Sequence, residues 1–188
     1  MSAGGRGWQV LLVGTLLPSC WVGMQAAHEL GHVAALWATG GTVAKVVLHP
    51  LTISRTDPGV NPRPLLEVWA GPAVGVLLPL AACGVARAAH FSGAYLLRFF
   101  AGFCLIANGC YLGAAPLDAV GDARTLLVLG SSMWQLGLFG VVCVPLGVYL
   151  WHGQGKHFRP ENVRPATAVV VAALLTAAVA AELCFSPT

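Results

Sequence analysis

Long stretches without a charged side chain restrict how this chain can fold more than any other feature. Each stretch is close to or longer than the roughly 20 apolar residues that cross about 30 Å of hydrocarbon as a helix. They cover residues 7–28, 68–86, 99–117, 125–155 and 165–181. Because an ionised side chain at the centre of a bilayer is costly, these runs predict membrane-spanning helices.

The composition excludes the main alternatives to a membrane protein. Hydrophobic residues make up 57% of the 188 residues and charged residues only 9%, against roughly 25% charged in a typical soluble domain. So few ionised side chains cannot cover the surface of a soluble domain of this size. The net charge of +3 is scattered along the chain, which excludes a nucleic-acid-binding protein because such proteins need a concentrated basic surface.

We therefore predict one all-α, multi-pass membrane domain over residues 1–188, with Gly40-Gly41 ending the first helix. The predicted spans cover residues 8–37, 65–86, 95–115, 133–152 and 166–185. Residues 42–57 are rich in Val, Thr and Ile, which is typical either of a short β-hairpin at the membrane surface or of an irregular loop. The basic residues divide six to four between the two sides, which leans toward a cytoplasmic amino terminus but leaves the orientation open.

The segment His28-Glu29-Leu30-Gly31-His32 indicates a metal site. Residues four apart share one face of a helix, so both imidazoles can bind one metal ion. The glutamate between them can contact a water molecule in an open coordination position and act as a general base. A shuffled chain of this composition would contain such an HExxH motif about 0.004 times. The structural alternative is a polar turn whose hydrogen bonds are satisfied by neighbouring helices.

Two histidines leave a tetrahedral zinc ion short of a third protein ligand, with the fourth position left for water. The segment after the third span contains two candidates, Asp118 and Asp122, and is the natural second half of a site. The other carboxylates lie at span edges or in the first loop, and they are Asp57, Glu67, Glu161 and Glu182. Only one of Asp118 and Asp122 is expected to bind the metal. The other is expected to cap a helix or to orient a ligand histidine.

These motifs resemble those of the site-2-protease family of intramembrane zinc metalloproteases. The similarity lies in a glycine-containing HExxH inside a membrane helix and a hairpin after it. It includes the Ala70-Gly71-Pro72 sequence that opens the second span, and Asn108 followed by a Pro…Asp segment. The resemblance extends over about residues 21–129, and HExxH is its strongly specific part.

The resemblance implies one Zn²⁺ per chain, held by His28, His32 and an aspartate. It also implies that Asn108 contacts the substrate backbone or the site, with a plain inter-helix hydrogen bond as an equal alternative. Asp118 follows Pro-Leu, as the family's aspartate often does. Asp122 precedes Ala-Arg-Thr-Leu-Leu, which better matches the family's Asp-Gly-x-Arg continuation into a helix, and we favour it as the third ligand. Alanine stands in place of the family's glycine after either aspartate.

The function expected from these residues is zinc-dependent hydrolysis of peptide bonds in transmembrane protein substrates, with Glu29 as the catalytic base. The protein would act in the lipid bilayer, in the cell membrane if its source is prokaryotic, and no nucleic acid partner is expected. Two alternatives stay open: a catalytically inactive metalloprotease-like scaffold, and a membrane metal-binding or transport protein. The alanines favour the scaffold, whereas the near absence of polar residues along the other spans argues against transport.

Overall fold

The computed structural model describes residues 3–115 and 117–185, and it is 73% helical. Its elements are α1 (Ala3–Ala38), β1 (Val43–Val47), β2 (Arg55–Pro58), α2 (Pro64–Ala88), α3 (Ala94–Gly113), α4 (Gly121–Val128), α5 (Met133–Trp151), a short 3-10 helix (Gln154–Phe158) and α6 (Pro165–Phe185). Five helices, all but α4 and the 3-10 turn, are long and apolar enough to cross a membrane. The predicted all-α, multi-pass membrane fold with a small hairpin after the first helix is confirmed.

The longest helix, α1, carries the HExxH segment. Its 36 residues extend about 54 Å at 1.5 Å per residue, well beyond the ~30 Å of a hydrocarbon core. The helix ends where Gly40 adopts a φ of +77°, a left-handed conformation open to glycine without a steric penalty. The Gly41 N–H donates to the Leu36 carbonyl at 2.8 Å and the Gly40 N–H to the Trp37 carbonyl at 3.3 Å. These are the two bonds of a Schellman motif, so the chain turns at the predicted glycine pair.

Strands β1 and β2 form an antiparallel hairpin that folds back along α1. Lys45 pairs with Asp57 in its register. The indole N–H of Trp21 donates to the Pro50 carbonyl at 3.0 Å, in the connection between the strands. Trp21 lies about 25 Å before the end of α1 at Ala38, counted at 1.5 Å per residue. The hairpin therefore passes the level of the HExxH segment and reaches the middle of α1.

Small residues let the spanning helices approach closely. Gly113 of α3 faces Gly140 of α5, and Gly102 faces Gly147 in the same pair of helices. Such contacts between backbones are a common basis of helix association in membranes. On the other side of the bundle, α1 packs against α6 through a buried cluster of Leu12, Leu16, Cys20, Ala168 and Val171.

One end of the bundle collects the end of α3, the helix α4 and the starts of α2 and α5. The eight-residue helix α4 buries Ala123 and Leu126 against Val68, Leu112 and Leu136, which come from α2, α3 and α5. This apolar cluster holds α4 against three spanning helices. The sequence predicted only a helix start in this region.

Candidate metal centre

Three side chains from α1 and α4 bring ligand atoms close together. His28 Nε2 lies 2.8 Å from Asp122 Oδ2 and 3.1 Å from His32 Nε2, and His32 Nε2 lies 3.4 Å from Asp122 Oδ2. Ligand atoms about 2.0–2.1 Å from a tetrahedral zinc ion are roughly 3.3 Å apart. The three atoms thus have about the spacing of three corners of such a site.

The second nitrogen of each histidine is bonded to an acceptor. The Nδ1–H of His28 donates to Asn108 Oδ1 at 2.8 Å, and Asn108 Nδ2 donates to the Cys104 carbonyl at 2.9 Å. This second bond fixes which amide atom faces the imidazole. The Nδ1–H of His32 donates to Glu67, with the carboxylate Oε1 at 2.8 Å and the backbone carbonyl at 3.1 Å. Partners of this kind select the tautomer that leaves Nε2 free for a metal.

The electrostatics of the cluster favour a cation at its centre. With both Nδ1 atoms donating, neutral imidazoles present only lone pairs at Nε2, and the carboxylate of Asp122 is also an acceptor. Three acceptor atoms within 3.4 Å of one another repel unless a proton or a metal ion lies between them. Two imidazole nitrogens and one carboxylate oxygen form a donor set of the kind that binds catalytic zinc and leaves a position for water. The residues present therefore fit a zinc ion.

The start of α4 positions Asp122. Gly121 has a φ of +52°, and a Cβ at that position would overlap the Tyr111 hydroxyl. The Asp122 N–H donates to this hydroxyl oxygen at 2.8 Å. With a proton rather than a metal in the cluster, burial would raise the pKa of Asp122, but its hydrogen bonds to His28 and His32 outweigh burial and hold that pKa well below its usual value.

The structure brings Asp122, and not Asp118, to the two histidines. Asp118 is exposed in the segment before α4, and its backbone N–H donates to the Ala114 carbonyl at 3.2 Å. Pro116, which belongs to the same motif, lies outside the described residues. Asp122 is the aspartate that the sequence favoured as third ligand.

The carboxylate of Glu29 faces the hairpin. Its Oε1 accepts a hydrogen bond from Ser54 Oγ and its Oε2 accepts one from Thr56 Oγ1, each at 2.6 Å. The side chain is 3% exposed, so these hydroxyls are its main polar partners among the described residues. The residue predicted to be the general base is thus held by β2 and by the residue just before it.

Two glycines allow α1 and α2 to touch beside the cluster of His28, His32 and Asp122. A Cβ on Gly31 would overlap the Ala70 carbonyl, and a Cβ on Gly71 would overlap the ring of His32. The glycine inside HExxH and the glycine of Ala70-Gly71-Pro72 are therefore required by the same close approach. A side chain at Gly71 would displace the His32 ring, whereas one at Gly31 would push against the backbone of α2.

A cavity of about 730 Å³ joins the cluster of His28, His32 and Asp122, the hairpin and the neighbouring helices. Its wall contains members of every part of the site, including His28, Glu29, His32, Ser54, Thr56, Glu67, Asn108, Tyr111 and Asp122. In the part of the chain that the structure describes, the remaining sequence candidates Asp57, Glu161 and Glu182 are not in this wall. Asn108, for which the sequence left substrate and structural roles open, is in the wall and accepts a hydrogen bond from His28.

Four residues at the site have roles that the sequence did not assign. Glu67 was only one of several candidate ligands, and the structure shows it as the acceptor for His32. Ser54 and Thr56 alternate in the segment for which a hairpin was one of two predictions, and in extended chain such spacing places both hydroxyls on one face. That pattern could have suggested them, whereas Tyr111 carries no local signal because its contact depends on the packing of α4.

Comparisons of the chain found no matching protein-family model, no matching curated protein and no matching solved structure. The interpretation of the site therefore depends on its own geometry and chemistry.

Proposed function

We propose that the protein is a zinc-dependent intramembrane endopeptidase that hydrolyses peptide bonds of membrane-protein substrates. The observation that carries the proposal is the convergence of three lone-pair atoms from His28, His32 and Asp122 inside an apolar helix bundle. A second carboxylate, Glu29, lies in the same cavity. The resemblance of HExxH and its flanking motifs to the site-2-protease family supports the same reading.

Each site residue has a defined part in this reaction. His28, His32 and Asp122 would hold one zinc ion per chain. The bound ion would polarise the scissile carbonyl and make water a better nucleophile. Glu29 would accept a proton from the attacking water and donate it to the leaving amine as the C–N bond breaks. Each Glu29 oxygen accepts one hydroxyl and keeps a second lone pair for that proton.

The hairpin offers a way to hold an extended substrate. A transmembrane substrate must unwind before cleavage, because each carbonyl in a helix is already hydrogen-bonded along the chain. In the described part of the chain, β1 and β2 pair only with each other, so each strand has an outer edge. An unwound segment can add to such an edge through backbone hydrogen bonds. The lipid bilayer would deliver the substrate, and in a prokaryote that bilayer would be the cell membrane.

The two alternatives fit the geometry less well. A scaffold without activity has no need for three converging ligands and a buried carboxylate beside them. Transport of a metal ion needs polar groups along a path through the spans. The buried polar side chains of the described spans are gathered at one site, with Glu182 as the exception.

Zinc content and cleavage test the proposal in sequence. We expect about one zinc per detergent-purified chain, and its loss in His32→Ala. We expect Glu29→Gln to keep the zinc and to stop cleavage of single-span reporter proteins whose apolar segments contain a central Gly, Asn or Pro. No zinc in the wild type after reconstitution would refute the enzyme and leave the scaffold. Zinc flux into proteoliposomes without any cleavage would instead favour transport.

A further inference from the structure

One face of α1 is fastened to the hairpin by three polar side chains at four-residue spacing. Trp21, Gln25 and Glu29 lie on successive turns of the helix and so form one stripe. Trp21 Nε1 donates to the Pro50 carbonyl at 3.0 Å, and the Ser54 N–H donates to Gln25 Oε1 at 2.7 Å. The third member of the stripe is the proposed general base.

The contacts of Glu29 differ from those of Trp21 and Gln25, because Glu29 accepts a hydrogen bond on each of its two carboxylate oxygens. Ser54 and Thr56 are two residues apart, so their side chains leave the strand on the same side. Their hydroxyls donate to different oxygens of one carboxylate. Arg55 and Asp57 take the opposite side, where they form an exposed ion pair with an Nε to Oδ1 distance of 3.2 Å. The alternation thus separates a face that binds the carboxylate from a face that is exposed.

We propose that Ser54 and Thr56 are positioning residues for the general base, which makes the hairpin a working part of the catalytic site. They fix the plane of the Glu29 carboxylate, so that the hairpin and the base move as one unit. This inference rests on the proposed function, because it assigns the two hydroxyls a part in the same reaction.

The physical basis of the positioning role is the rotational freedom that the Glu29 carboxylate would have without these two hydrogen bonds. The terminal torsion of a glutamate is broad and has no sharp minimum. Hydroxyl donors to a carboxylate at 2.5–2.7 Å are charge-assisted and about twice as strong as neutral hydrogen bonds, and both bonds here are 2.6 Å long. Two such bonds to the two oxygens define the orientation of the group. A catalytic group displaced by about 1 Å loses on the order of 100-fold in rate.

The inference predicts a loss of kcat when the hydroxyls are removed. We expect Ser54→Ala and Thr56→Val each to lower kcat about 10-fold, and the double variant about 100-fold, the range seen when partners of catalytic groups are removed. KM and the zinc content should stay within about twofold of the wild type, whereas a merely structural role would raise KM. Thr56→Ser should recover most of the kcat lost in Thr56→Val. Thr52→Val is the matched control, because Thr52 is exposed in the same hairpin.

A measurement without substrate tests the contact itself. Hydrogen exchange of the amides in residues 53–57 should be faster in Glu29→Ala and in the Ser54→Ala/Thr56→Val double variant. Combining all three changes should add little further, because residues that act through one contact are not additive. Additive effects on exchange would overturn the inference. So would a double variant that cleaves at the wild-type rate or faster.

The two proposals fail in different ways. A wild type that binds zinc and cleaves no reporter would refute the proposed function. The comparison of hydrogen exchange among the three variants would still report whether the two hydroxyls and Glu29 are coupled. A wild type that cleaves, with Glu29→Gln inactive and the double variant unimpaired, would leave the proposed function in place and refute the positioning role.

Discussion

Replacing Asn108 by alanine removes the acceptor that fixes the tautomer of His28. The Asn108 side chain is 1% exposed, so water cannot take its place without rearrangement, and the Nδ1–H of His28 would be left unpaired. An unpaired buried donor costs about 1–3 kcal/mol, and removal of such a partner weakens metal binding by roughly 10–100-fold. We therefore expect the zinc Kd of Asn108→Ala to rise by about that factor.

A second substitution separates the oxygen acceptor of the side chain from its amide donor. Asn108→Asp keeps an oxygen for the His28 Nδ1–H, and it replaces the donor to the Cys104 carbonyl by a second oxygen that shares the negative charge. Its zinc Kd should stay within a few-fold of the wild type. Asn162→Ala is the matched control, because Asn162 is exposed and its side chain donates to the Lys156 carbonyl, away from the site.

The assay is competition for zinc with a chromophoric chelator in detergent, after each variant has been checked for folding by thermal unfolding. A folded Asn108→Ala with the wild-type Kd would refute the orienting role. The same variant with an unchanged Kd and a raised KM would instead support the substrate-binding role that the sequence suggested. Equal weakening by alanine and aspartate would show that the amide donor to the Cys104 carbonyl, which both variants lack, is what matters.

Three further changes test the site from other directions. Removal of zinc by a chelator should lower the unfolding temperature of the wild type, since an ion at 100 times its Kd stabilises the folded state by about 2.7 kcal/mol; the midpoint of His32→Ala should not respond. Gly71→Ala should lose zinc because its methyl group overlaps the His32 ring. Gly84→Ala is the control and should keep zinc, because nothing lies within 4 Å of the added atom. Equal zinc content in the two variants would contradict the close approach of α1 and α2. Tyr111→Phe removes the acceptor for the Asp122 N–H, a bond worth about 1 kcal/mol, so its zinc Kd should rise about fivefold, and an unchanged Kd would show that α4 is held without it.

The sequence predicted the spans because their signal is local. Charge-free runs gave all five membrane-length helices, and Gly40-Gly41 marked the end of the first because its Schellman motif needs a left-handed glycine. The helix α4 was harder to predict: its eight residues are too few for a periodic pattern, and it is stabilised mainly by Ala123 and Leu126 packing on three other helices. Elements of that kind depend on tertiary contacts that propensity does not encode.

For the site, too, the sequence predicted what depends on local spacing and not what depends on tertiary contacts. His28, Glu29 and His32 stand together in one turn, so their spacing alone indicated a metal. The partners of the two histidines come from elsewhere in the chain: Glu67 is 35 residues from His32 and Asn108 is 80 residues from His28. Contacts across such separations are fixed by the packing of α1 against α2 and α3, and a single sequence does not state which residues that packing brings together.

The position of the site along the bundle bears on the choice between hydrolysis and transport. Glu67 lies in the first turn of α2 and Asp122 in the first turn of α4, and Asn108 lies about 7.5 Å before the end of α3 at 1.5 Å per residue. The cluster of His28, His32 and Asp122 is thus close to the end of the bundle where backbone groups are unpaired and attract water. Hydrolysis would need one water molecule at a bound metal and no polar path beyond it. A transporter would need buried polar groups to continue toward the other end, where the described spans bury no polar side chain. The shallow site therefore favours a hydrolase that draws water from one side of the membrane.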